Sequence, residues 1–292
     1  MQRISAMFVP RKVLEEKLLR LLTEDIGQGD ATTYALVPSG LEVTAEIIAK
    51  DSGVVAGVEE ATVLAEALGL KVVATVVDGS LVKNGQVFMR IQGDAKTILA
   101  VERTLLNLVS RMSGIATATR NLTEKLKKAK LNSKIAATRK TAPGLLFFDK
   151  KAVVIGGGDT HRLHLDDMVL IKDNHLALTG SLERAVKNAK QNVSFSKKIE
   201  VEVENPQDAL KAAELGADIV MLDNFSPQQI KEAVSLLKKG GFFGRVMLEA
   251  SGGITPENLL DFASAGVDVI SLGELTHSVK ALDLSLEIIK AR

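Results

Sequence analysis

The chain has 292 residues, enough for one large or two ordinary domains with a sizeable core. Its 37 basic and 36 acidic residues nearly balance, which disfavours general binding to nucleic acids or membrane surfaces and makes any basic patch local. The absence of cysteine excludes disulfides, thiolate zinc sites and cysteine nucleophiles. No apolar run approaches membrane-spanning length and the amino terminus has no long apolar core, so we expect a soluble cytoplasmic protein.

The first hundred residues predict a small layer of strands and helices. The predicted elements are a helix over Val13–Leu22, a turn region over Glu24–Thr33, a strand over Leu41–Lys50, a helix over Val58–Leu68 and short strands between Lys71 and Ile91. A long helical zone follows from Thr97 to Lys130, and Ser113–Gly114 predicts a break in it. On that helix Arg103 lies off the apolar stripe and has no evident role.

From Asn132 onward, short apolar runs alternate with helical stretches. The runs are Lys134–Ala137, Val153–Ile155, Met168–Ile171, Ile199–Val203, Ile219–Leu222, Val246–Leu248 and Val267–Leu272. The helical stretches are Leu182–Lys190, Pro206–Leu215, Pro227–Lys238 and Pro256–Ala265, with Pro opening the last three. This alternation indicates parallel strands, in an open doubly wound sheet or a barrel. We predict an incomplete TIM-like α/β barrel of about six or seven strands, followed by a last helix over Leu282–Ala291.

The segment from Thr138 to His175 concentrates positive charge near predicted strand ends. Its cations are Arg139, Lys140, Lys150, Lys151, His161 if protonated, Arg162 and Lys172. Because an α/β barrel carries its chemistry at the carboxyl ends of its strands, we expect these cations to surround a multiply anionic ligand. A solvated basic loop is the alternative interpretation.

Acidic residues end the later strands. Strand alternation places Glu200, Glu202 and Glu204 on one face, which points into the barrel if the valines between them meet the outer helices. Such carboxylates need partners, and the cations are available, although a salt-bridged core without a catalytic role would look the same. We expect Glu202 and Asp223 to hold Mg²⁺, because oxygen ligands that leave room for waters and phosphates suit that ion.

Two glycine-containing loops near the end of the chain favour phosphate binding. Ser251, Gly252 and Gly253 follow one predicted strand, and Gly273 follows the next. Backbone N–H groups in such loops approach an anion closely, and paired loops after the last two strands are the usual phosphate site of these barrels. The sequence alone thus predicts a barrel enzyme for phosphorylated, strongly anionic substrates.

The sequence resembles the quinolinate phosphoribosyltransferase family along nearly its whole length. The similar motifs, in the family's order, are EDIGQGDATT, VERTLLN with SGIAT, TRKTAPGLL, GGGDTHRLHL, IKDNH, EVEVE, MLDNF, EASGGI and LGELTHS. One departure is visible, because Leu145 and Leu146 stand where the family's pattern has a basic residue; Lys150 and Lys151 are nearby.

The resemblance implies an amino-terminal α/β sandwich domain, residues 1–114 completed by 277–292, and a barrel domain, residues 115–276. It implies a homodimer in which Arg103 reaches the neighbouring active site, and a reaction that converts quinolinate and 5-phosphoribosyl 1-diphosphate to nicotinate mononucleotide, diphosphate and CO₂. The substrate-binding residues it implies are Arg103, Arg139, Lys140, His161, Arg162, Lys172, Glu202, Asp223, Ser251, Gly252, Gly253 and Gly273. Among them Lys140, Glu202 and Asp223 are the implied catalytic residues, and no nucleic acid or membrane is an implied partner.

Three alternatives remain at this point. Relatives associated with molybdate transport share the fold, and nicotinate phosphoribosyltransferase shares the architecture with fewer carboxylate partners. The segment Val77–Gly93 suggests a lipoyl- or biotinyl-type carrier, but it has no lysine at a hairpin tip flanked by Met or Ala. His164, His175 and His277 are interpreted as structural rather than as ligands.

Overall fold

The computed structural model describes residues 9–291, which form two compact units. The helices, in chain order, are α1 (Arg11–Ile26), α2 (Ala31–Leu36), α3 (Val58–Ala67), α4 (Ala95–Lys128), α5 (Leu146–Gly156), α6 (Asp173–Thr179), α7 (Leu182–Asn192), α8 (Pro206–Glu214), α9 (Pro227–Lys239), α10 (Leu259–Ser264) and α11 (Glu274–His277). The strands are β1 (Glu42–Ala49), β2 (Gly53–Val54), β3 (Lys71–Ala74), β4 (Leu81–Val82), β5 (Val87–Asp94), β6 (Lys134–Ala137), β7 (Val169–Ile171), β8 (Ile199–Val203), β9 (Ile219–Asp223), β10 (Met247–Ser251), β11 (Val269–Leu272) and β12 (Leu284–Ala291).

The first unit comprises the described residues up to Arg120, Phe147–Gly157 and the residues from Ser278 onward. Its main sheet is antiparallel, with strand order β12-β1-β5-β3. Every second residue of β1 is buried, because an antiparallel sheet packs one face on the core. The prediction of a last helix over Leu282–Ala291 is wrong: this segment is β12, which pairs with β1 in register Ile47 with Leu286. Leu282, Leu284 and Leu286 alternate with polar residues, and that period of two suits a strand.

The predicted break near Ser113–Gly114 is also wrong, because α4 is continuous over 34 residues. Gly114 is buried, and a Cβ there would overlap the carbonyl oxygen of Lys280 and lie 2.9 Å from Ala281 Cα. The glycine therefore permits close packing of backbone against α4 rather than ending the helix.

Residues 153–155, predicted as a strand, belong to helix α5. Three apolar residues cannot distinguish a strand from a buried helical segment, and ion pairs fix this one as a helix in the first unit. Asp149 accepts two hydrogen bonds from Arg111, at 2.7 and 2.8 Å, and Lys151 donates to Glu59 and, at 2.6 Å, to Glu60. GGGDTHR therefore follows a helix, not a strand.

The second unit contains a six-stranded parallel sheet with strand order β6-β11-β10-β9-β8-β7. In the described residues β6 and β7 are not paired, so the barrel is incomplete, as predicted. Side chains at alternate strand positions, such as Leu248 and Ala250 of β10, pack in the core with residues of α7 to α10. Pro206 and Pro227 open α8 and α9 as predicted, whereas α10 begins at Leu259 and not at Pro256.

The unit boundaries differ from the predicted domain boundaries in detail, since residues 147–157 belong to the first unit and α4 enters the second after Arg120. The division into 1–114 with 277–292 and 115–276 stays a prediction. Among the described helices, none has the length and apolar character needed to cross a membrane.

Candidate active site

The carboxyl ends of the parallel strands bring most of the predicted site residues of the second unit to one edge of its sheet. Arg139 and Lys140 follow β6, Lys172 follows β7, Glu202 lies near the end of β8, Asp223 ends β9, Ser251 ends β10 and Gly273 follows β11. Residues that end neighbouring parallel strands lie side by side because the strands run in the same direction. Asp223 is directly opposite Ser251 in the register of β9 and β10.

Lys172 and Glu202 form an ion pair at this edge. Lys172 Nζ donates to Glu202 Oε2 at 2.7 Å, and both side chains are partly exposed. The backbone of Lys172 is fixed as well, because its N–H donates to His175 Nδ1 at 3.0 Å at the start of α6. His175 thus makes a capping contact, in line with its interpretation as structural.

Arg139 and Arg162 contribute two like charges to the site. Burial lowers the pKa of Arg162, and the positive charge of Arg139 lowers it further. Both guanidinium groups stay charged, so two like charges are held within electrostatic reach of each other. An anionic ligand would relieve that repulsion.

His161 extends from the loop after α5 into a buried carboxylate cluster. Its Nε2 lies 3.0 Å from Glu249 Oε2 and 3.3 Å from Glu200 Oε2, and the two glutamates are 1% and 0% exposed. Its Nδ1 accepts the N–H of Arg162 at 2.8 Å. Both ring nitrogens of His161 are therefore occupied by groups of the protein itself.

The three groups of this cluster share protons. Burial lowers the pKa of His161, but its contacts with the carboxylates of Glu200 and Glu249 outweigh that effect and raise its pKa to about 10. An imidazole that accepts a hydrogen bond at Nδ1 carries its proton on Nε2. We therefore place the second proton of the cluster on Glu200, whose pKa is raised by burial. A second proton on the imidazole instead, with both glutamates ionised, would leave the cluster with the same single net negative charge.

The predicted phosphate loops have the backbone geometry that glycine allows. Gly252 has φ of 90°, and a Cβ there would overlap the side chain of Asn224; Gly253 has φ of 64°. Helix α10 starts at Leu259 and has six residues, so its dipole contributes little beside this loop. Backbone N–H groups are then the donors that this loop could offer to an anion.

Lys140 lies against the second glycine loop. Thr276 Oγ1 donates to the carbonyl oxygen of Lys140 at 2.8 Å, and a Cβ on Gly273 would lie 3.2 Å from Lys140 Cδ. The lysine is thereby placed next to the loop predicted to hold a phosphate, rather than only beside Arg139.

The residues proposed for a metal ion fit Mg²⁺ only in part on their own. Neither Glu202 nor Asp223 belongs to a compact group of three potential ligands in the described residues; those groups are His161 with Glu200 and Glu249, His164 with Asp166 and Asp167, and Glu59 with Glu60 and Asp78. Glu202 and Asp223 are partly exposed carboxylates on neighbouring strands, which suits an ion that takes its other ligands from waters and phosphate oxygens.

Three other predicted residues belong to the first unit. Arg103 belongs to the first unit; its side chain is 66% exposed and its closest carboxylate, Glu102, is 3.9 Å away. Lys150 and Lys151 are buried in the first unit, with Lys151 paired to glutamates, so neither supplies the basic residue missing at Leu145 and Leu146.

Two family models match successive parts of the chain. A family model described as the quinolinate phosphoribosyl transferase C-terminal domain matches residues 115–287, and one for the N-terminal domain matches residues 30–113. The chain is 49% identical over 268 residues to a probable nicotinate-nucleotide pyrophosphorylase (carboxylating) of Methanothermobacter thermautotrophicus, covering 92% of this chain and 96% of the relative.

Solved structures agree with these matches. A nicotinate-nucleotide pyrophosphorylase from Francisella tularensis is 35% identical with a TM-score of 0.87, covering 99% of this chain and 100% of that chain. A human nicotinic acid phosphoribosyltransferase, 14% identical with a TM-score of 0.63 and covering 94% of this chain and 74% of its own, shares the fold alone.

Proposed function

The chain belongs to the quinolinate phosphoribosyltransferase family, and we propose that it converts quinolinate and 5-phosphoribosyl 1-diphosphate to nicotinate mononucleotide, diphosphate and CO₂ in de novo NAD biosynthesis. The observation that carries the proposal is the group of cations in the second unit, in which Arg139 and Arg162 repel each other, Arg139 follows β6 and Lys172 follows β7. A pyridine with two adjacent carboxylates supplies the two negative charges that this group lacks.

Arg139, Arg162 and Lys172 bind the two carboxylates of quinolinate in this proposal. Guanidinium groups form bidentate pairs with carboxylates, so they orient the ring as well as attract it. Lys172 leaves Glu202 or bridges it to the substrate when the dicarboxylate enters. Nicotinate, with one carboxylate, would leave part of this positive charge without a partner.

Glu202, Asp223 and Lys140 act on the ribosyl donor. We assign Glu202 and Asp223 to the ribose hydroxyls and to Mg²⁺, and Lys140 to the diphosphate or the second carboxylate. Mg²⁺ held by these two carboxylates would supply charge neutralisation for the leaving diphosphate. The carboxylates stabilise the oxocarbenium-like transition state by their fixed negative charge, and Ser251, Gly252, Gly253 and Gly273 hold the 5-phosphate.

The second half of the reaction needs no covalent bond to the protein. The ring nitrogen attacks the ribosyl carbon and diphosphate leaves, which gives the nitrogen a positive charge. The adjacent carbon–carboxylate bond then breaks, the electron pair remains on the ring carbon beside that positive nitrogen, CO₂ departs and the carbon takes up a proton. The protein contributes positioning and electrostatics.

The proposal includes a cytoplasmic homodimer whose Arg103 completes the carboxylate site of the partner subunit. It is supported by the high exposure of Arg103 and by its place on the face of α4 opposite the buried Leu105 and Val109. An exposed arginine whose ion pair with Glu102 is as long as 3.9 Å is available to a second subunit.

The test is a product assay with purified protein, Mg²⁺ and phosphoribosyl diphosphate, using quinolinate or nicotinate in parallel. We expect nicotinate mononucleotide and CO₂ from quinolinate alone. Turnover with nicotinate alone would retain the phosphoribosyl half of the proposal and overturn the dicarboxylate half. If the folded dimer turned over neither substrate, the substrates of the molybdate-associated relatives would be favoured.

A further inference from the structure

His161 is anchored by its ring, and Arg162 is anchored by His161. The backbone of His161 has φ of 51°, in the left-handed region that side chains rarely adopt, and its N–H donates to Asp159 Oδ1 at 2.9 Å. Asp159 in turn exchanges two backbone hydrogen bonds with β6, at 2.7 and 3.1 Å. This short segment is held in an unfavourable conformation by its surroundings, as is common at functional sites.

Glu249 is the principal partner of the ring. It is 1% exposed, its Oε2 lies 3.0 Å from His161 Nε2, and its Oε1 makes no hydrogen bond among the described residues. Glu200 is farther from the ring, at 3.3 Å, and neither of its oxygens meets hydrogen-bond geometry there. Burying a carboxylate costs free energy unless it is hydrogen-bonded, and the hydrogen bond that Glu249 makes is to the imidazole of His161.

A metal ion at this cluster fits less well. A histidine that binds a metal through Nε2 donates its Nδ1–H to a neighbouring acceptor, whereas Nδ1 here accepts the N–H of Arg162. The hydrogen bond at Nδ1 favours a proton on Nε2 directed at Glu249.

We propose that Glu249 is a positioning residue that acts through His161: it fixes the imidazole, the imidazole fixes the backbone N–H of Arg162, and the Arg162 guanidinium is thereby held where a carboxylate of the substrate binds. His161 accordingly acts on Arg162 and does not contact quinolinate. This inference rests on the proposed function, because it takes the dicarboxylate as the ligand of Arg162.

The experiment compares Glu249→Leu with Glu249→Gln by calorimetric titration of quinolinate and, separately, of phosphoribosyl diphosphate. Leucine removes the acceptor and glutamine keeps one, so we expect Glu249→Leu to raise the Kd for quinolinate about tenfold and Glu249→Gln to leave it within about twofold. The Kd for phosphoribosyl diphosphate should change in neither. In a His161→Phe background Glu249→Leu should no longer change the Kd for quinolinate, because the imidazole through which Glu249 acts is absent.

Ser271→Ala is the matched control, because Ser271 is equally buried on the neighbouring strand and its Oγ has no hydrogen bond among the described residues. If Glu249→Leu does not fold, Glu249→Asp, which withdraws the carboxylate by one methylene, takes its place. Unchanged quinolinate affinity, or an equal loss in the His161→Phe background, would overturn the inference.

A readout without substrate separates this inference from the proposed function. The ¹⁵N shifts of the His161 ring should report a proton on Nε2 in the native protein and should change in Glu249→Leu but not in Ser271→Ala. If native protein fails to bind quinolinate while these shifts behave as expected, the proposed function fails and the positioning contact stands. If quinolinate binds and the shifts do not respond to Glu249→Leu, the positioning contact fails alone.

Discussion

Lys172 and Glu202 lie at the ends of neighbouring parallel strands, and Lys172 Nζ donates to Glu202 Oε2 at 2.7 Å. The sequence assigned these residues to different ligands, the lysine to a carboxylate and the glutamate to ribose and Mg²⁺. Since each neutralises the other in the structure, the two halves of the site are electrostatically coupled. Removing one leaves a half-buried charge without its partner, so effects at the two positions should not be additive.

Arg139→Ala and Lys172→Ala should each weaken quinolinate binding by about a hundredfold or more, because each removes a charged partner of a carboxylate. The melting temperature should stay close to that of the native protein. Titration calorimetry with quinolinate measures the effect, and Lys187→Ala, which removes an exposed cation from α7, is the control. Normal quinolinate affinity in either variant would show that its assigned role is wrong.

Glu202→Gln and Asp223→Asn should lower kcat by about a hundredfold, since they remove negative charge from the transition state for ribosyl transfer. Both variants should also need more Mg²⁺ for half-maximal rate. Glu204→Gln changes an exposed carboxylate just beyond the same strand and serves as control. A Mg²⁺ dependence that matches the native enzyme in both variants would remove the metal from these two residues.

Arg103→Ala and Arg139→Ala should each be inactive alone and partly active when mixed. In a shared site, a hybrid dimer regains one native active site from two defective subunits, so up to about a quarter of native activity should return at equal mixing. Subunit exchange is verified by mass spectrometry of differently tagged chains. Exchange without recovery would contradict the shared site.

The stability of the protein should depend on pH through the cluster of His161, Glu200 and Glu249. Burial lowers the pKa of His161, its contacts with the two carboxylates raise it to about 10, and its ordinary value is 6.5. The native state therefore binds more protons than the unfolded state between these values. The free energy of unfolding from this group is fully present below pH 6.5 and falls as pH rises to about 10, by at most about 1.4 kcal/mol per pH unit.

Denaturant unfolding between pH 6.5 and 9.5, in native protein and in Glu200→Gln, measures this dependence. Glutamine replaces the protonated carboxyl with a neutral amide, so the variant should lose the decline seen in the native protein. Equal slopes in the two proteins would place the proton uptake elsewhere.

Gly114→Ala should destabilise the protein by about 1–3 kcal/mol, although the same change inside an ordinary helix stabilises it. The added Cβ would overlap the backbone at Lys280 and Ala281. Thermal unfolding measures the effect, and Asn121→Ala on the exposed side of the same helix is the control. A stabilised Gly114→Ala would mean that the chain near Lys280 yields readily.

Patterns of local sequence determined the strand–helix alternation and the residues at the strand ends. The period of Ile199–Val203 placed alternate glutamates inward, and the structure confirms a buried Glu200 and a Glu202 paired with Lys172. These features follow from side-chain alternation and from the direction of parallel strands, both of which depend on short stretches of chain.

Only the tertiary structure decided which buried groups pair and which segments are helix or strand. The segment 153–155 is helical because Asp149 and Lys151 meet Arg111 and Glu60, far away in sequence. The carboxyl-terminal segment is a strand because β1 offers it an edge.

His161 is the clearest case. The sequence identified it as a cation for the substrate, since a histidine beside an arginine in a loop offers no other sign. The fold surrounds it with Glu200 and Glu249 from two separate strands, so its ring faces the protein. Such partners are more than thirty residues away in the chain, and only the pairing of β8 and β10 with β9 brings them together.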